Sequence, residues 1–264
     1  MKATILLGFL ALAATNPLSC SQPVYLPNKI HTPIFHDKGE VEGSASYTGN
    51  SGFGASLAYT PVKSFFIEAG GNAAPAVKPF TSNNSTKFFY GEVGYYNCPT
   101  PLIELELSGG YGKGTAEVYD NFPENLFDTS YTSWYYGSGN EYDHKNVSYD
   151  RFHVQTSLGF HGAVHESPGG NHENDLVMEF ALTPRLVYLN TTKYVVDHYD
   201  TGHVLIGTRN ESFSNVFLEF GATLRVGFKH LILELQTGSS STLGANQAIL
   251  SQGSFLSVGL VSRF

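Results

Sequence analysis

The sequence predicts an all-β fold, a closed antiparallel up-and-down transmembrane β-barrel of about ten strands. Three observations lead there. Apolar residues alternate with polar or small ones at a period of two over many separate stretches, the signature of strands with one apolar and one polar face. Aromatic residues make up 14% of the chain and charged residues also 14%, beside 28 Gly, a composition rich in strand formers and unsuited to disorder. Beyond the N-terminal leader, no apolar run approaches the roughly 20 residues that a membrane helix needs.

In chain order, the first element is a secretory leader, residues 1–20. Lys2 precedes an apolar core from about Ile5 to Ala14, the charged and apolar parts of an export signal. Two processing points compete. The Ala11, Leu12, Ala13 triplet suits ordinary signal peptidase, whereas Leu18, Ser19 and Cys20 resemble a bacterial lipobox, in which Cys20 becomes a lipid-bearing N-terminus. The lipobox reading is narrowly preferred. Residues 21–38 follow as an N-terminal lead-in on the periplasmic side, and residues 39–264 form the barrel. With Cys20 and Cys98 the only cysteines, no disulfide framework determines the fold.

The clearest strand contains Phe152, Val154, Leu158 and Phe160 on one side and Arg151, His153, Gln155, Ser157, Gly159 and His161 on the other. Val216, Leu218, Phe220, Ala222, Leu224, Val226 and Phe228 repeat the pattern, with Phe217 as an exception, and Leu231, Leu233 and Leu235 alternate with Glu234 and Gln236. Weaker segments begin near Glu40, Phe53, Phe65, Phe88, Leu102, Leu176 and Gly253, giving an even count of about ten. The connections alternate in length. Short or medium ones at 61–64, 98–101, 165–175 and 229–230 belong on one side. Those at 75–87, 120–148, 190–212 and 238–249, with the brief 49–52, belong on the other, which membrane barrels turn outward.

A soluble barrel has the same alternation turned inside out. Against it, the polar faces of the crossings carry Gly, Ser, Glu and Arg but no Lys, and aromatics such as Tyr47, Phe53, Phe65, Tyr95, Phe152 and Tyr188 stand near the strand ends as interfacial girdles would. The chain stops with Leu256, Val258, Leu260 and Phe264 in phase on the apolar face.

That ending resembles the insertion signal of Gram-negative outer-membrane barrels, a last strand whose terminal aromatic, here Phe264, is read by the barrel-assembly machinery. A second resemblance runs from Gln22 through Pro27 and Asn28 to Thr32, Pro33, Phe35 and Glu40, which is similar to the lead-in of small, lipoprotein-like outer-membrane barrels. Together they point to the outer membrane protein beta-barrel domain family. The resemblance implies the cell outer membrane as location, and outer-membrane lipid and the assembly machinery as partners.

The polar faces collect Glu40, Glu42, Glu68, Glu92, Glu104, Glu106, Glu179, Glu219 and Glu234 with Arg151, Arg185, Arg225 and Arg263. The expected result is a paired network that fills the lumen, because an unpaired buried charge is costly. A narrow cation-preferring pore is the alternative. Tyr131, Trp134, Tyr135 and Tyr136 in the longest outer connection are candidates for glycan or protein recognition, or else for strands continued above the membrane. No enzyme is expected, since no nucleophile elbow or metalloprotease motif is present. The rival is an outer-rim enzyme using Asp143, His144, Asp197 and His198; a soluble ligand-binding barrel is the remaining alternative. His161, His165 and His172 match no zinc spacing, so neither metal nor cofactor is expected. A net charge of -8 with only 15 Lys and Arg excludes nucleic acid as a partner. Oligomeric state leaves no mark in the sequence.

Overall fold

The computed structural model describes residues 25, 27–35, 37–49, 51–74, 85–121, 142–164, 176–200, 202–228, 230–243 and 253–264. The strands among these are β1 (Val41–Thr48), β2 (Gly52–Val62), β3 (Phe65–Ala74), β4 (Ser85–Thr100), β5 (Ile103–Asn121), β6 (Tyr142–Val164), β7 (Leu176–Tyr199), β8 (Leu205–Glu211), β9 (Ser214–Phe228), β10 (Leu231–Thr242) and β11 (Ser254–Arg263). Ten of them pair antiparallel in one ring. Neighbours in sequence are neighbours in space, β7 passes to β9, and β11 closes on β1. β8 stands outside the ring, pairing with residues 194–199 at the far end of β7. It occupies part of the stretch that the sequence had suggested as a connection, where Thr208 and Ile206 carry a strand pattern too short to stand out.

Alternation places the apolar side chains on the outer surface. Phe53, Leu57, Ile67, Val93, Val154 and Leu256 are each at least half exposed, while Glu42, Glu68, Arg151, Arg225 and Glu234 are buried inside. Soluble proteins rarely show water an apolar patch larger than a few hundred Å², so this surface is built for lipid. Its edges carry aromatic pairs. Tyr47 with Phe53, and Tyr111 with Phe152, mark one edge at ring separations of 5.1 and 4.9 Å; Phe65 with Tyr95 marks the other at 5.3 Å. Such girdles suit the interface, where a ring meets both hydrocarbon and headgroups. Val93→Arg, placed between them on β4, is therefore expected to destabilise the barrel by about 2–4 kcal/mol in lipid. Urea unfolding in vesicles measures it, and an unchanged midpoint would mean that this face meets water.

The two ends of the barrel differ. At one end the described links are tight, with two residues between β2 and β3 and two between β4 and β5. At the other, β5 and β6 continue paired as far as Asn121 and Tyr142, beyond the aromatic edge, and Lys87, Lys113, Lys145 and Lys193 all lie in such extensions. Residues 120–121 and 142–148 of the expected connection are thus strand. Between β1 and β2 the turn depends on Gly52, whose φ of 74° and close approach to the Ala73 carbonyl leave no room for a Cβ.

Residues 25 and 27–35 lie inside the barrel. The sequence predicts 21–38 as a lead-in on the periplasmic side; these residues lie instead within the lumen, and only 37 and 38 of the described part stay exposed at the short-turn end. Phe35 packs against Phe66 and Tyr96 at the short-turn end, and Tyr25 stacks on Phe217 far up the wall. Ten residues at about 3.3 Å each can span roughly 33 Å, so the segment runs extended along the axis. It pairs with no barrel strand over 27–35. Pro27 and Pro33 carry no N–H to satisfy, and wall side chains serve much of the remaining backbone.

Candidate functional site in the barrel interior

The interior is layered from one end to the other. At the short-turn end an apolar cluster joins Phe35, Ala58, Phe66 and Tyr96, and Cys98, a free thiol, donates to the Phe35 carbonyl. At the opposite end a larger cluster gathers Tyr25, Phe88, Val147, Tyr149, Val187, Leu189 and Phe217. Phe217, the one aromatic on the polar face of β9, points inward with Asn215 and Glu219 as the pleat requires and stacks on Tyr25 at 5.0 Å. Between these two apolar layers lies a belt of charges and amides.

The inner segment is fastened to that belt residue by residue. Tyr25 donates its hydroxyl to Glu219 at 2.8 Å. Asn28 takes hydrogen bonds from Arg151 and Arg185. Lys29 pairs with Glu234 at 2.6 Å. The Ile30 N–H donates to Gln236 and the Ile30 carbonyl accepts from it, at 2.8 and 2.7 Å, so one amide side chain completes one peptide unit. Opposite, Gly221 leaves the space that the Ile30 side chain fills. His31 meets Glu68 at 2.8 Å through Nδ1, and its Nε2 lies 3.3 Å from Glu42. Gln155 donates to the His31 carbonyl.

The wall carries its own network. Arg225 reaches Glu234 at 2.8 Å, Glu42 at 3.3 Å and Glu179 at 3.6 Å; Arg263 holds Glu42 and Glu179, both at 2.9 Å. Arg185 clamps Glu219 with Nε at 2.7 Å, while Arg151 lies over the Phe88 ring at 4.8 Å. His153 bonds Glu92 at 2.8 Å. Glu104 and Glu106 differ from these. Glu106 accepts from Ser108 and Gln155 through one oxygen only, and neither oxygen of Glu104 takes a hydrogen bond, although both residues are buried. Glu40 sits half-buried at the short-turn rim.

All the lumen residues named from sequence therefore face the interior, while Phe264 stands exposed at the short-turn rim with its backbone paired to Val41. Lys29 and His31, the cations that face Glu234, Glu42 and Glu68, were missed. Their only sequence signal is a Lys and a His between two prolines, which reads as linker. Cys20, His165, His172, Tyr131, Trp134, Tyr135 and Tyr136 lie outside the described residues. At the long-strand end His198 bonds Asp143 at 2.8 Å and His144 bonds Glu117 at 2.9 Å. Strand alternation puts these two pairs on opposite faces of the wall, so the four rim residues do not converge on one centre.

An apolar exterior around a closed, charged interior defines a membrane-spanning β-barrel. Comparison with protein-family models and with curated sequences gives no match. Among solved structures the chain is similar to the translocator domain of the autotransporter NalP from Neisseria meningitidis, at 10% identity and a TM-score of 0.45, covering 86% of each chain. It is also similar to the N-terminal β-barrel domain of OprF from Pseudomonas aeruginosa, at 12% identity and 0.31, covering 87% of this chain and all of that one. The toluene transporter TbuX from Ralstonia pickettii matches at 9% identity and 0.33, with 87% and 90% covered.

Proposed function

We propose that this protein is a small Gram-negative outer-membrane barrel, closed by its own N-terminal segment, that serves as a structural or surface-presenting element and not as an open channel. The observation that carries this reading is the path of residues 25–35 along the whole axis, with an apolar stopper at each end, Phe35 and Tyr25, and ion pairs between. A lumen occupied in this way leaves no continuous aqueous route of solute size. The short-turn end then faces the periplasm, and the extended β5, β6 and β7, with β8, stand outside the cell as the platform for contacts with a glycan or protein. Purified in detergent, the protein is expected to migrate faster unheated than boiled and to give no steady current in planar bilayers. Large, lasting openings of the intact chain would overturn it.

A second reading, a gated cation-preferring pore, draws support from Glu104 and Glu106. Among the described residues neither carboxylate has a guanidinium within ion-pair distance, and a lumen with surplus negative charge concentrates cations. In that reading the segment is a removable gate. Brief openings at high voltage in the intact chain, absent from a chain whose segment is disulfide-locked to the wall, would favour it.

A further inference from the structure

We infer that the chain is threaded outward through its own barrel, so that the polypeptide preceding Tyr25 begins at the outer face while the C-terminus stays at the periplasmic face. The inference rests on the orientation proposed above for its words "outer" and "periplasmic", but the threading itself follows from the described residues alone.

Phe35 packs on Phe66, one residue inside the short-turn end of β3. Tyr25 stacks on Phe217, eleven residues from the short-turn end of β9 at Phe228. With a rise of about 3.3 Å per residue and strands tilted by about 40°, that is roughly 28 Å of height, the full thickness of an apolar band. The row next to Phe217 holds Val216 opposite Tyr188, itself opposite Phe152 of the upper aromatic edge. Tyr25 is therefore level with the far membrane boundary. Along the way the segment is held by the wall on several sides, through Glu42 of β1, Glu68 of β3, Gln155 of β6, Thr183 of β7 and Gln236 of β10. It has no side exit.

A consequence concerns the lipobox-like Cys20. Five residues reach at most about 18 Å, less than the roughly 28 Å back to the other boundary. An acyl chain on Cys20 cannot enter the periplasmic leaflet while residues 25–35 occupy the lumen; it would belong to the outer side.

The test places a short epitope between Pro23 and Val24, downstream of both processing points, in the full chain. Two reference chains carry the same epitope in the 229–230 turn or in the 244–252 connection. Antibody binding is read on intact and on permeabilised cells. The expected result is that the N-terminal epitope behaves as the 244–252 epitope does, fully reached on intact cells. Should it behave as the 229–230 epitope does, the threading is overturned, whichever of the two is exposed. Exposure of the 229–230 epitope on intact cells would instead overturn the orientation alone. Where the epitope hinders assembly, Val24→Cys in a Cys98→Ser chain replaces it, since every thiol left then lies upstream of Tyr25. Labelling by a membrane-impermeant maleimide that matches that of a thiol placed in the 244–252 connection, Ala245→Cys, supports the threading, and labelling that differs from that reference overturns it.

Discussion

Deleting residues 25–35 is expected to convert a silent barrel into one that conducts cations. The ten wall strands keep their pairing, because the segment contributes no ladder hydrogen bonds over 27–35. What leaves is the Tyr25 and Phe35 stoppers, together with Lys29 and His31. What stays is a lumen in which Glu42, Glu68, Glu92, Glu104, Glu106, Glu179, Glu219 and Glu234 face four guanidiniums, Arg151, Arg185, Arg225 and Arg263. A narrow pore with that surplus raises local cation concentration and repels anions. Steady single-channel currents and a reversal potential on the cation side in a salt gradient are the expected readings. Heat-modifiable migration verifies that the truncated wall still closes. A closed wall without current would show that the wall side chains alone fill the lumen, and the proposed role of the segment would fall.

The second large effect belongs to Arg225. Its guanidinium stands among three buried carboxylates, Glu42, Glu179 and Glu234. Arg225→Leu is expected to cost about 3 kcal/mol, at the lower end of what breaking a buried pair costs, because Arg263 and Lys29 still hold those partners. Urea unfolding in vesicles is the measurement. Adding Glu179→Leu should recover part of the loss, since Arg263 then pairs with Glu42 and Lys29 with Glu234, and neither remaining carboxylate is left uncompensated. If the double variant is less stable than the single one by a further equal amount, the two residues act independently and the network is not what holds the interior.

Most of the wall is legible in the sequence. A period of two is a local property, set by the pleat, so Phe152, Val154 and Phe160 could be assigned to one face and Arg151, His153 and Gln155 to the other from eleven consecutive residues. The starts expected near Phe65, Leu176 and Gly253 match β3, β7 and β11 to within a residue. β8 and the reach of β5 and β6 above the membrane were read as connections, because paired strands outside the lipid need no apolar face and so lose the alternation that reveals them.

The sequence by itself determined that the outer face is apolar, that the inner face collects Glu and Arg, and that the ring has ten members. Only the tertiary structure decided what occupies the ring. The segment from Tyr25 to Phe35 has neither period, and its partners lie as far as 206 residues away in Gln236. A strand announces itself because its neighbours along the chain share the same environment. A chain satisfied by the side chains of a closed wall carries no such mark, since its environment exists only after that wall has closed around it.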